Sequence, residues 1–260
     1  MKSKKIYIVL LIILVIFCII MFSLFGVENV KQKNYKSTII LGENTVWTYR
    51  NKKWNYINNI SDFNKLSWQE YNVYFDNKSI GRYYLWHDDK WYVFDKDKKA
   101  VEIDGNLFAY DANFNMNIYD FNLEKIRDRT YVDKALNEND ISISSSFTTS
   151  NKVSFDFDGD NVDEDFYLVS NAFPIEFNPD YIFSLVFMVK NNEIYYLYRD
   201  IAPNNSFNGC KPFFNTILDT NNDGLYEIIL SCGRYSDLGQ LDMLYSFVDN
   251  NEFKILISNQ

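Results

Sequence analysis

The side chains most able to do chemistry are concentrated in two short stretches, DFDGDNVDED from Asp156 and DTNNDGLYE from Asp219. Oxygen-bearing residues recur at positions 1, 3, 5 and 9 of each: Asp156, Asp158, Asp160 and Glu164 in the first, Asp219, Asn221, Asp223 and Glu227 in the second. A tight turn with that spacing can aim its oxygens at one hard cation, and calcium is the ion that takes about six to eight of them. The backbone carbonyl of position 7, Val162 or Leu225, is placed to complete the shell. Gly224 permits a sharp reversal, and Asn161, at the same place in the first stretch, is a type that tolerates positive φ. The competing reading is an Asp/Asn-rich β-turn whose side chains bond their own backbone. Against it stands the repulsion among clustered carboxylates that lack a cation.

An EF-hand would need Glu at position 12 of each loop, where this chain has Tyr167 and Leu230 on strand-like runs. Helix-loop-helix is therefore excluded, and the loops join strands. The two loops belong to an internal repeat. KVSFDFDGDNVDEDFYLVSN from Lys152 leads to a hairpin around Asn191-Asn192, and FFNTILDTNNDGLYEIILSCG from Phe213 leads to one around Asn250-Asn251. Each unit reads as strand, acidic loop, strand and hairpin, a four-stranded antiparallel sheet. In DTNNDGLYEII and DFDGDNVDEDF the chain resembles the FG-GAP or VCBS calcium-loop repeats, over about a hundred residues (152–258). That resemblance implies calcium held between strands of a β-blade in proteins used for adhesion or binding, and no particular activity.

Other candidate positions are sparser. Cys210 and Cys232 flank the second acidic loop, so its two strands bring them near each other as a disulfide or as two buried thiols. All five tryptophans fall between Trp47 and Trp91. The segment WHDDKWYVFDKDKKAV from Trp86 resembles a cell-wall-binding repeat of the choline-binding type, which implies ligand stacking on Trp86, Trp91 and Tyr92; the alternative is an aromatic sheet core. His87, the only histidine, sits beside a turn with Asp88 and Asp89 and reads as a surface residue. There is no phosphate-binding glycine loop, zinc-ligand spacing or nucleophile elbow, so no enzyme site is legible.

These residues must be held by a larger body. Ile6 to Val27 is a run of twenty-two uncharged residues, long enough at about 1.5 Å per residue to cross a bilayer. It divides the chain into a cytoplasmic tail (1–5), a transmembrane anchor (6–27), a juxtamembrane linker (28–38), an aromatic β-meander (39–120), a linker with a short helix at 130–138 (121–150) and the calcium-loop repeats (151–260). Three lysines on each side, Lys2, Lys4 and Lys5 against Lys31, Lys33 and Lys36, leave the positive-inside count tied. The short tail favours an inside N-terminus and an extracytoplasmic body. All 35 acidic residues follow the anchor, so the body is more acidic than the formal charge of −9, which argues against nucleic acid as a partner. Turn pairs at Asn51-Lys52, Asp88-Asp89 and Asp104-Gly105 punctuate the meander, and a Thr130 cap with Asp133 begins the helix. The expected fold is all-β with antiparallel sheets, one or two short helices and the N-terminal anchor. The expected role is a membrane-anchored extracytoplasmic binding or scaffold module for a protein or cell-wall partner, with a cell-wall glycan binder and an enzyme of unseen site as alternatives.

Overall fold

The computed structural model describes residues 37–50, 53–102, 105–142, 147–172, 181–203, 210–234, 240–248 and 252–259. The expected anchor lies outside them, and among the described residues no helix is long and apolar enough to cross a membrane. The described residues are mostly antiparallel β-sheet, with two short helices, of which α1 is Ile60–Phe63.

The first sheet is built from β1 (Thr38–Leu41), β2 (Thr45–Arg50), β3 (Lys53–Ile57), β4 (Gln69–Phe75), β5 (Lys78–His87), β6 (Trp91–Phe94), β7 (Ala100–Val101) and β8 (Leu107–Asp111). Its order is β3-β2-β1-β8-β4-β5-β6-β7, so it is not the simple meander expected. Strand β8 inserts between two hairpin systems, with Ala109 opposite Ile40 on one side and Val73 on the other. No turn residue announces such a pairing, because its partners are remote in sequence. Of the expected turns, Asn51-Lys52 lies outside the described residues, though the Arg50–Lys53 pair brackets it. The Asp88 turn spans three residues between His87 and Trp91. Of the Asp104-Gly105 pair, Asp104 lies outside the described residues, and the strands on either side, β7 and β8, are not neighbours. Gly105 serves a close approach instead: its φ is +123°, and a Cβ there would lie 2.5 Å from the Asp76 carboxylate.

The second and third sheets carry the repeat. The second has the order β10 (Glu124–Lys125), β11 (Thr149–Phe155), β12 (Glu164–Ser170), β13 (Tyr181–Lys190) and β14 (Glu193–Pro203). The third has the order β18 (Glu252–Ser258), β17 (Gln240–Val248), β16 (Glu227–Arg234), β15 (Cys210–Asp219) and β9 (Asn117–Tyr119). Each four-stranded unit is therefore extended by one edge strand from before the repeats, β9 from the end of the expected meander and β10 from the expected linker. The Asn191-Asn192 turn has φ of 53° and 65° at its two residues, and the Lys190–Glu193 pair closes it, the geometry a two-residue hairpin needs. Its counterpart at Asn250-Asn251 lies outside the described residues.

The sheets stack because β12, β13 and β16 are apolar on both faces. Between the second and third sheets Phe155, Phe157, Phe166, Phe214, Leu230 and Tyr245 share one core. The other face of the third sheet, through Leu218, Ile229 and Leu244, packs on Ile39, Leu41, Trp47 and Phe108 of the first. The outer face of the second sheet is covered by α2 (Thr130–Glu138), whose Val132, Ala135 and Leu136 are fully buried. The helix has its expected bounds but not its expected cap. Thr130 is its first residue, and Asp128 Oδ1 accepts from the Thr130 backbone N–H and hydroxyl at 2.9 and 2.7 Å. Each large side chain in these layers contributes about 1.5–3 kcal/mol by leaving water.

Cys210 and Cys232 are joined in a disulfide with Cα atoms 5.3 Å apart, inside the core between the two repeat sheets.

Candidate functional site

The acidic loops connect β11 to β12 and β15 to β16, and the antiparallel pairing of those strands closes each into a turn. The turns have the same backbone. Asn161 and Gly224 both take positive φ, at 65° and 84°, and so do Gly159 and Asn222, at 75° and 59°. Glycine and asparagine have exchanged places between the loops, since both residue types reach this region at low cost.

The hydrogen bonds match pair by pair. Asp156 Oδ2 accepts from Asn161 N–H and Asp219 Oδ2 from Gly224 N–H, both at 2.9 Å. Asp160 accepts from Val162 N–H at 2.8 Å, and Asp223 from Leu225 N–H at 2.9 Å. Glu164 Oε2 accepts from Phe157 N–H and Glu227 Oε2 from Thr220 N–H, both at 3.0 Å. The loops also lie side by side: Tyr226 N–H donates to the Phe157 carbonyl at 3.1 Å.

What they present differs. In the first loop, oxygens of Asp156, Asp158 and Glu164 lie within 4.8 Å of one another. A cation with ligands at about 2.3–2.6 Å spans such a set. Asp156 Oδ1 and Asp158 Oδ1 are shielded from solvent with no hydrogen-bond partner among the described residues. The donor set is all oxygen and fits a hard divalent ion. The chain also supplies a cation of its own. The Lys190 ammonium contacts Asp158, lies 3.2 Å from Glu164 Oε1 and 3.4 Å from Asp160 Oδ2. Burial pushes its pKa down, but the bonds to Asp158 and Glu164 outweigh that and hold it above the ordinary lysine value. Burial raises the Glu164 carboxyl, against the Phe157 N–H and Lys190.

The second loop has no such lysine among the described residues. Asn221 replaces the aspartate that Lys190 contacts, and its Nδ2 donates to Asp223 Oδ2 at 2.9 Å. Asp219 and Glu227 are almost fully buried. Burial, opposed by the Thr220 N–H and reinforced by Asp223 and Asp219, raises Glu227 to about 7. Val162 and Leu225, whose carbonyls were expected as ligands, expose their side chains at the same place in both loops.

Comparison with protein-family models, curated proteins and solved structures finds no match to this chain.

Sequence reasoning missed Lys190. The signal was present in the repeat: VKNNE (189–193) aligns with VDNNE (248–252), so lysine stands where the second unit has Asp249, a residue outside the described set. The stacking trio is divided by the sheet. Trp86 and Tyr92 are paired across β5 and β6 on one face, with rings 5.7 Å apart, next to Phe94 and Trp68. Trp91 points to the opposite face, only 6% exposed, against Phe63 and His87. Trp68, 44% exposed with Lys98 over its ring, was not anticipated. His87 is a core residue, 3% exposed, and not the surface histidine its turn suggested.

Proposed function

We propose that this chain is a membrane-anchored extracytoplasmic binding or scaffold module whose paired acidic loops take calcium to lock the repeat sheets. The observation that carries the reading is the duplicated loop. Two turns share the same φ signs and the same three carboxylate-to-amide bonds, and in the first of them the oxygens of Asp156, Asp158 and Glu164 converge in one cluster. The residues that would hold the ion are Asp156, Asp158, Asp160 and Glu164, with the Val162 carbonyl, and Asp219, Asn221, Asp223 and Glu227, with the Leu225 carbonyl. Bound calcium would supply the positive charge that fixes each loop between its strands. In the first loop it would compete with Lys190 for Asp158 and Glu164.

Support for the compartment comes from Cys210–Cys232, a bond that persists where thiols are oxidised, and from the apolar run Ile6 to Val27. Thermal melting of the full-length chain in detergent, with calcium and then with chelator, tests the metal. Calcium is expected to raise the midpoint, and Asp223→Ala to abolish most of the gain. Identical midpoints in calcium and chelator would sink the reading.

A second reading, a cell-wall glycan binder, has its own observation: the uncovered face of β5 and β6 bears the Trp68, Trp86, Tyr92 and Phe94 rings. Trp86→Ala tests it by pull-down on purified cell wall, where undiminished retention would count against this face.

A further inference from the structure

A cavity of about 1240 Å³ lies away from both acidic loops. Tyr56 of β3 and Ala100 and Val101 of β7, the two end strands of the first sheet, line it together with Trp91 of β6, so the sheet curls around it. Gln240 and Asp242 of β17 close it from the third sheet. We infer that this cleft is a binding site for a saccharide, with Asp242 accepting from a sugar hydroxyl and Tyr56 offering a ring face.

Asp242 is fully buried. Its Oδ1 accepts from the Ser231 hydroxyl at 2.5 Å and from Gln240 Nε2 at 2.7 Å. Its Oδ2 is buried with no partner among the described residues. Leaving a buried carboxylate oxygen unpaired is costly, and a ligand hydroxyl would satisfy it. The group is held in place by a network joining two sheets. Asn259 Oδ1 accepts from the Asp242 backbone N–H at 2.8 Å, while Asn259 Nδ2 donates to Thr45 Oγ1 at 2.8 Å and to the Gln240 carbonyl at 3.0 Å. Trp91 Nε1, also buried in the lining, is a donor with no acceptor among the described residues.

The inventory selects the ligand class. The lining combines the amide side chains of Asn44, Asn106, Gln240 and Asn259 with the buried Asp242 carboxylate and Trp91 indole, groups that match a molecule rich in hydroxyls. Tyr56, 37% exposed, presents a ring that sugar C–H faces pack against. The lining sets Glu43, Glu102 and Asp242 against Lys90, so an organic cation is the competing ligand that the test must separate. The volume exceeds the roughly 300–1,000 Å³ of sites for drug-sized ligands, so it accommodates more than one sugar ring.

This inference does not rest on the metal reading, and its site is separate from the Trp86 face. The test is a glycan array of linear glucose, galactose, mannose and N-acetylglucosamine oligomers, probed with the full-length chain in detergent. Retention of at least one oligomer is expected. Asp242→Asn and Tyr56→Ala should each weaken it by about tenfold or more, the value of one hydrogen bond to a charged group or one ring contact. Trp86→Ala should leave it intact. Far-UV circular dichroism shows whether each variant is folded, and Tyr56→Ala, at a half-open edge strand, serves if Asp242→Asn is not. No retained oligomer overturns the proposal. So does retention lost in Trp86→Ala but kept in folded Asp242→Asn and Tyr56→Ala, or displacement by tetramethylammonium.

Discussion

Lys190 and Asp158 make one charge decision between them. The first loop has an aspartate where the second has Asn221, and the extra carboxylate is matched by an ammonium that reaches across from the end of β13. Removing that ammonium leaves Asp158 and Glu164 facing each other in a half-buried site. Lys190→Met is therefore expected to destabilise the calcium-free protein by about 2 kcal/mol, less than for a fully buried pair because Asp158 is partly exposed. Calcium should restore most of the loss, and chemical denaturation with and without the ion measures both effects. His87 makes a second prediction. Burial between Phe63 and Trp91 pushes its pKa below the ordinary 6.5, against the raising effect of Asp88 and Asp89. Below about pH 6.5 the unfolded chain takes up a proton that the folded one refuses, so His87 favours folding fully above that pH and progressively less beneath it. His87→Phe should flatten the fall in urea midpoint between pH 7.5 and pH 5, at about those values. An unchanged slope would remove His87 from the acid response.

Elements show where local signals suffice. The helix at 130–138 was legible from Asp133 in its first turn and the Ala135-Leu136 pair, and the structure buries that pair together with Val132. Its cap was misread: Asp128, two residues before the helix, does what Thr130 was expected to do. The repeat strands were legible for the same reason as the helix, long β-branched and aromatic runs bounded by Asp, Asn and Gly. The order of the first sheet was not, because β8 pairs with strands roughly thirty-five to seventy residues away and only burial selects it. The disulfide ties β15 to β16 across 22 residues of chain. Replacing both cysteines by alanine is expected to cost about 3 kcal/mol, read as a lower denaturant midpoint in non-reducing buffer. No change in midpoint would mean that the bond contributes nothing to stability.

At the scale of the whole molecule, three sheets and a helix stack so that the third sheet is covered on both faces. The acidic loops sit at one end of the two repeat sheets, and the cleft opens where the first sheet meets β17. The proposed anchor belongs to this scale too. The full-length chain is expected to stay with the membrane fraction through alkaline extraction, and deletion of residues 1–36 to release it. Release of the full-length chain by alkali would overturn the anchored reading.

Charge, apolar length and turn chemistry are written residue by residue, so the sequence alone determined an acidic, mostly β body, its repeated loops and the positive-φ position at Asn161. Which groups face each other is a property of remote pairing. Only the tertiary structure placed Lys190 among the carboxylates of a loop some thirty residues earlier, turned Trp91 away from Trp86 and Tyr92, and buried Asp242 beside Tyr56. The reason is physical: a strand's alternation says that neighbours point apart, but not which side the core will take. That choice is made when apolar faces from distant segments leave water together.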